Sequence, residues 1–168
     1  MRKILALALL SILIIGCDYE VAITPNAQIP INRDLVGTWE YVPNDEEGLA
    51  EFTMLVLRQN DNEYLIIYGK DLGLYLRAYI VELSDLPGLI QLECIGADNK
   101  PVDTNNKSIY HLAKYKFKND NVLELKILNT DIVDKSCKSS KELKTKILEN
   151  KKNIELFNNP GMFRRVKK

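Results

Sequence analysis

The sequence has little of what most enzymes and nucleic-acid binders use at their sites. It contains a single histidine, His111, in 168 residues, which argues against histidine-based metal sites and catalytic triads. Basic and acidic residues balance at 23 each, so the basic excess typical of nucleic-acid binders is absent and no nucleic-acid partner is expected. Apolar residues make up 46% and charged residues 27%, a composition that excludes a disordered chain and fits one globular core.

Motifs that carry chemistry are also missing. The chain has no Gly-x-Ser-x-Gly, phosphate-binding loop or dinucleotide fingerprint. The acidic turns at residues 45–47 and 60–63 lack the twelve-residue loop, central glycine and terminal glutamate of a calcium site. His111 has no second ligand at metal spacing, so it is interpreted as a half-exposed strand residue. We therefore expect no catalytic residue, no metal and no cofactor.

The only long apolar run lies near the start of the sequence, at residues 4–15, behind Arg2 and Lys3. A membrane-spanning helix needs roughly 20 apolar residues, so this run is too short to span a bilayer. Its length and the preceding positive charge are typical of a secretory signal. Residues 1–16 are predicted to be a signal peptide.

Ile14, Gly16 and Cys17 follow directly after this run and resemble the lipobox of bacterial lipoproteins. The resemblance implies cleavage between Gly16 and Cys17 and attachment of lipid, palmitate among its acyl chains, to the Cys17 sulfur. It also implies a cell-envelope protein, anchored to a membrane and facing the periplasm or the outside. Asp18 favours the inner membrane if the host is an enteric-type bacterium. The alternative is a signal peptide that happens to end near a buried cysteine.

The other two cysteines, Cys94 and Cys137, form an even pair in a protein expected to be exported, where disulfides persist. Cys94 ends a strand-like run, and Cys137 lies in a polar loop before a predicted helix. Nothing in the sequence shows that they are close. A disulfide and two thiols both remain open.

Strand-like runs separated by turn residues dominate the rest of the chain. Residues 17–33 are predicted to be the lipidated cysteine and a short tether, and residues 34–168 the folded domain. Links of hairpin length favour an antiparallel meander that closes as an eight-stranded barrel. The eight predicted strands are 36–42, 50–59, 63–68, 74–83, 89–94, 109–117, 122–128 and 162–167.

One amphipathic helix is predicted before the last strand. Ser139 and Glu142 have the spacing of a capping box, and the helix is expected to end near Asn153. Its apolar stripe is formed by Leu143, Ile147 and Leu148. Basic residues dominate from residue 135 onward, whereas acidic residues dominate before it. This asymmetry fits either a solvated basic helix on an acidic barrel or a surface for anionic headgroups or an acidic partner.

Gly37 and Trp39, in a Leu-x-Gly-x-Trp sequence on the first predicted strand, resemble the opening motif of lipocalins and of bacterial lipocalin-like domains. The resemblance implies a lipocalin-like barrel in which Trp39 closes one end. It also implies that an arginine from late in the chain, Arg164 or Arg165, covers the tryptophan ring by a cation–π contact.

The expected function is a non-enzymatic binding or interaction module held at the membrane through the lipid on Cys17. One alternative is a lipocalin-like carrier of a small apolar ligand. The other is an envelope inhibitor or immunity protein that blocks a partner protein with its outer surface. An eight-stranded barrel has little interior volume, so large inward-facing residues would favour a filled core. The residues predicted to face inward are Phe52, Met54, Tyr79, Phe117 and Leu123.

Overall fold

The computed structural model describes residues 19–43, 52–70, 73–98, 100–102 and 109–166, and this part of the chain is mostly β-structure. A short 3₁₀ turn at Arg33–Leu35 precedes the first strand. The strands are β1 (Gly37–Val42), β2 (Thr53–Arg58), β3 (Tyr64–Gly69), β4 (Leu74–Leu83), β5 (Leu86–Ala97), β6 (Lys100–Pro101), β7 (Tyr110–Asn119), β8 (Val122–Leu128) and β9 (Phe157–Arg165). One α-helix, α1 (Ser140–Glu149), lies between β8 and β9.

Eight of these strands close into an antiparallel barrel. Each strand from β1 to β5 pairs with its neighbour in the sequence, and β7, β8 and β9 continue the meander. The β1–β9 pairing completes the ring, with Trp39 opposite Arg165. The two-residue β6 only extends one edge of β5. The predicted fold class, an eight-stranded antiparallel barrel with a helix before the last strand, is confirmed.

Strands β5 and β9 begin earlier than predicted, because prolines that suggest turns lie inside them. Pro87 stands beside the start of β5, after a tight turn in which Asp85 has φ of +67°. Pro160 lies within β9 next to Asn159, whose φ is +51°, at an irregularity in the β8–β9 register. Strand starts and bulges tolerate proline because no ladder N–H is needed there.

Alternation along the strands creates two apolar faces. In β4, for example, Leu76 and Ala78 face inward, whereas Tyr79 and Val81 face outward. The interior cluster comprises Leu35, Trp39, Met54, Val56, Tyr64, Ile66, Leu76, Ala78, Ile90, Ala113, Leu123 and Phe163. The outer-wall cluster comprises Tyr19, Ile23, Tyr79, Val81, Leu86, Leu89, Leu112, Leu128, Val133, Cys137, Leu143, Ile147, Leu156 and Phe157.

Helix α1 covers part of the outer wall. Its start follows the predicted capping signal: Ser139 Oγ accepts from the Glu142 N–H at 3.2 Å, and the Glu142 carboxylate accepts from the Lys138 N–H at 2.8 Å. Leu143 and Ile147 are buried in the outer-wall cluster. The helix ends at Glu149, four residues before the predicted end.

The segment predicted as a tether is part of the domain from Tyr19 onward. Tyr19 and Ile23 are each 1% exposed and belong to the outer-wall cluster. The Ile23 N–H donates to the buried Gln91 side chain at 2.5 Å. A free tether would leave these apolar side chains in water, and burying such residues is worth about 1.5–3 kcal/mol each. The segment therefore serves as a cover for the outer wall.

None of the helices in the described part of the chain combines the length and apolar character that crossing a membrane requires.

Candidate functional site

The barrel has two distinct ends. The end that we call the base carries Gly37, Arg58, Tyr64, Val122 and Arg165, and the end that we call the mouth carries Val42, Thr53, Gly69, Leu74 and Leu128.

Trp39 closes the base. Its side chain is fully buried, and its indole Nε1 donates to the Leu35 carbonyl at 2.9 Å. The Arg165 guanidinium lies 4.2 Å from the centre of the indole ring, well inside the range of about 6 Å for a cation–π contact. Arg165 also donates to the carbonyls of Val36, at 3.0 Å, and Asp34. These contacts hold the guanidinium as a cap over the ring.

The motif glycine makes room for this cap. Gly37 has φ of +146°, and a Cβ placed there would lie 2.8 Å from Nη1 of Arg165. Only glycine adopts this backbone conformation readily and leaves that space. Of the two candidate arginines, Arg165 therefore makes the contact expected with Trp39. Arg164 points to the outside, where it pairs with Glu40 at 3.6 Å.

The interior above this base contains a cavity of about 140 Å³. The expectation of a filled core is therefore wrong. Met54, Phe117 and Leu123 do face inward, but Tyr79 packs in the outer-wall cluster. Small side chains at other inward positions leave the space open. The cavity is lined by Leu35, Tyr41, Met54, Val56, Ile66, Tyr68, Leu74, Leu76, Ile90, Leu92, His111, Ala113, Tyr115, Leu123, Leu125, Ile127, Asn159, Gly161 and Phe163.

Among the described residues, few polar groups face this apolar space. His111 lines it and is 6% exposed, so its predicted half-exposed position is wrong. The Tyr68 hydroxyl forms no hydrogen bond with another described residue. Burial, and secondarily the neighbouring Tyr41, raise the pKa of Tyr68 to about 12. The Tyr68 hydroxyl thus stays neutral at ordinary pH and offers both a donor and an acceptor.

Aromatic rings line the wall near Tyr68. The Phe163 ring lies edge-on to Tyr41 at 5.6 Å and to Tyr68 at 6.4 Å, and Phe52 stacks on Tyr68 at 6.2 Å. Phe52 precedes β2 and lies outside the interior cluster. Edge-on pairs are the favourable geometry for aromatic rings, so this side of the cavity is held in place by its own contacts.

The alternation of β8 contains the signal for part of this lining. Leu123, Leu125 and Ile127 are predicted to face inward, and all three line the cavity. Tyr41, Asn159 and Gly161 are lining residues that the sequence reasoning missed. Tyr41 follows Trp39 at the inward period of β1, which is the signal that could have identified it. The bulge in β9 removes any such signal for Asn159.

Cys94 and Cys137 are not joined in the structure, so the disulfide alternative is wrong. Cys94 packs against the interior cluster, and Cys137 belongs to the outer-wall cluster on the other face of the sheet. Cys137 Sγ lies 3.1 Å from the Asp134 carbonyl. Burial raises the pKa of the Cys137 thiol, which disfavours the reactive thiolate form.

The acidic turn at residues 60–63 is engaged by the protein itself. Glu63 pairs with Arg77, and the hydrogen bonds from that guanidinium are the main cause that lowers the pKa of Glu63. Arg77 also donates to Glu93 at 3.1 Å. Within the described ranges, no cluster of three His, Cys, Asp or Glu residues could hold a metal ion.

Gly16, Cys17 and Asp18 lie outside the described residues, as does the acidic turn at residues 45–47. Signal cleavage, lipidation of Cys17 and the membrane location remain predictions from the sequence.

The chain matches none of the family models, curated proteins or solved structures with which it was compared. The geometry of the barrel interior is therefore the basis for the functional proposal.

Proposed function

We propose that this protein is an exported, lipid-anchored binding protein whose barrel holds one small apolar molecule. The observation that carries the proposal is the cavity of about 140 Å³, lined almost entirely by apolar side chains and closed at the base by Trp39. Ligand sites in proteins are concave and apolar, with a few polar groups that orient the ligand. The interior has this composition.

The size of the cavity limits the ligand. An apolar protein cavity of about 150 Å³ holds one benzene molecule, so the expected ligand is of that order. The Tyr68 hydroxyl can donate to or accept from one oxygen or nitrogen of such a molecule. A compact hydrocarbon skeleton with a single hydrogen-bonding group satisfies both features.

The proposed role is binding without chemistry. Tyr68 has its pKa raised to about 12, so at neutral pH it neither releases a proton nor acts as a nucleophile. A hydroxyl of this kind positions a ligand. The mature protein would be held at the membrane through two or more acyl chains on Cys17, which anchor far more firmly than one.

Native mass spectrometry of the Cys17→Ser variant, purified from its host without detergent, tests the binding proposal. We expect a stoichiometric small molecule that is lost in Ala113→Leu, because Ala113 lines the cavity and the larger side chain fills it. Ala97→Leu is the matched control, since Ala97 is exposed at the end of β5. A co-purifying protein in place of a small molecule would favour the inhibitor or immunity alternative.

Detergent phase partition tests the anchor. We expect the natural chain in the detergent phase and Cys17→Ser in the aqueous phase. Equal partition of the two proteins into water would refute lipidation of Cys17.

A further inference from the structure

The segment at residues 19–32 runs along the outer wall from the mouth to the base. At the mouth, Tyr19 and Tyr110 exchange two backbone hydrogen bonds of 2.9 Å, and Tyr110 is the first residue of β7. At the base, the Asn32 N–H donates to the hydroxyl of Tyr64, the first residue of β3, at 2.6 Å. The Ile23 contact with Gln91 lies between these points.

Tyr19 is firmly held at the mouth end. Besides its backbone pairing, its hydroxyl donates to the Val133 carbonyl at 2.6 Å, and its side chain is 1% exposed. Cys17 is two residues away, and two residues span at most about 7 Å. The base is roughly 13–15 Å from the mouth, given six-residue strands with about 3.3 Å per residue and a tilt of about 40°. A lipid on Cys17 is therefore attached at the mouth end of the barrel.

An exposed apolar side chain lies in the segment that returns to this end, between α1 and β9. Ile154 is 89% exposed, far more than Ile95 at 39% and Leu57 at 38%. The backbone carbonyl of the next residue, Glu155, accepts a hydrogen bond at 3.1 Å from the side-chain amide of Asn129. Asn129 directly follows the mouth end of β8. An isoleucine in this position can enter the headgroup region of a bilayer, where burial of apolar surface is favourable.

We propose that the mouth of the barrel faces the bilayer that carries the Cys17 lipid, and that the apolar ligand exchanges between the cavity and that bilayer. This inference depends on the proposed lipid anchor and binding function. The partner it names is the lipid surface itself. Small apolar molecules concentrate in a bilayer, so a mouth held against it shortens the path of the ligand through water.

Fluorescence quenching by brominated lipid tests this orientation. The full-length lipoprotein is reconstituted in vesicles of phosphatidylcholine and phosphatidylglycerol, with or without a brominated phosphatidylcholine. The natural Trp39 is the only tryptophan and lies at the base, so its emission should not respond to bromine. Ile154→Trp adds a reporter at the mouth, and Leu57→Trp is the matched control on an exposed residue of β2 near the base.

We expect brominated lipid to reduce the emission of Ile154→Trp and to leave Leu57→Trp at the level of the natural protein. Equal quenching of the two variants, no quenching of either, or stronger quenching of Leu57→Trp would overturn the orientation. Flotation of the same vesicles and benzene binding by the same proteins are read separately. Protein that does not float has no anchor, which overturns the orientation as well. Protein that floats with the expected quenching but binds no benzene refutes the binding function and the exchange step alone.

Discussion

The two faces of the barrel wall are both apolar, yet they are filled differently. On the outer wall, Leu89 and Leu112 are at most 1% exposed, because residues 19–32 and α1, through Leu143 and Ile147, cover them. Inside, Leu125 and Ile127 remain partly exposed although they face inward, since their surface borders the cavity. Apolar composition therefore does not decide whether a face is closed. The presence of a covering segment decides it.

Buried polar groups on the two faces also differ in whether the protein itself supplies their hydrogen-bond partners. On the outer wall, buried Gln91 accepts from the Ile23 N–H and donates to the Tyr79 hydroxyl and to the Thr24 carbonyl. Inside, the Tyr68 hydroxyl has no hydrogen-bond partner among the described residues. A satisfied network stabilises a fixed structure, whereas an open hydroxyl on a cavity is available to a ligand.

The largest predicted difference between the faces is the effect of truncating an aliphatic side chain. Ile147→Ala should lower the free energy of unfolding by about 3 kcal/mol, the middle of the range for a fully packed site. Leu125→Ala should cost about 1 kcal/mol, because part of its surface already borders a cavity. Urea denaturation of the two variants measures both changes. Equal costs would contradict the distinction between a packed wall and a hollow interior.

Substitution of the motif glycine should have the next largest effect. Gly37→Ala combines positive φ with a clash against Arg165, so we expect a loss of about 2 kcal/mol in the free energy of unfolding. Gly73→Ala is the control, since its Cβ would meet only Asp98, at 3.3 Å from Oδ1 and 3.9 Å from the backbone nitrogen, and its backbone is not in the positive-φ region. Similar losses in the two variants would show that the cap over Trp39 does not depend on Gly37.

The contrast between Gln91 and Tyr68 predicts a smaller difference in the free energy of unfolding. Gln91→Met leaves the Ile23 N–H buried without its acceptor, which should cost about 1–2 kcal/mol. Tyr68→Phe removes a hydroxyl that no described residue binds, so its free energy of unfolding should match that of the natural protein within about 0.5 kcal/mol. Chemical denaturation at pH 7 compares the two. A large loss in Tyr68→Phe would reveal a structural role for the hydroxyl.

Raising the pH should have no effect through the tyrosine side chains near neutrality and a gradual effect above pH 10. Burial raises the pKa values of Tyr64, Tyr68 and Tyr79 to about 12, against about 10 in an unfolded chain. Ionisation therefore begins in the unfolded state first. Stability should be constant with respect to these groups below pH 10 and decrease as the pH rises from 10 to 12.

Unfolding in urea at pH 9, 10, 11 and 12 measures this decrease, and absorbance near 295 nm follows tyrosine ionisation. Tyr68→Phe should reduce the decrease without abolishing it, because Tyr64 and Tyr79 still contribute. Ionisation of all tyrosines near pH 10 in the folded protein would contradict the burial of these hydroxyls.

The sequence predicts the strand order well, because turn residues separate successive strand-like runs and the short links between them favour pairing of neighbours. The bounds of β4 and β8 agree with the predicted 74–83 and 122–128. The sequence does not predict whether Tyr79 faces inward or outward. Both faces of β4 are apolar, so the strand has no alternation of apolar and polar residues that would distinguish them. The covering role of residues 19–32 is also hidden, because two prolines and mixed polarity resemble a linker until the apolar outer wall is known.

The site was predictable at the base and not in the interior. Gly37, Trp39 and a late arginine are identified by a short motif with a local physical cause. The cavity depends on how the strands tilt and on the summed volumes of side chains from eight strands, and no local pattern encodes that sum. The same limit explains why a filled interior was predicted.

The central claim is that the interior, and not the outer wall, receives a small apolar molecule. Titration of the methyl-labelled Cys17→Ser protein with benzene, followed by ¹H–¹³C NMR, tests it most directly. We predict saturable shifts at the methyl groups of Met54, Leu125 and Ile127, with those of Leu143 and Ile147 unchanged. The absence of saturable shifts inside the barrel, or shifts confined to Leu143 and Ile147, would contradict the claim.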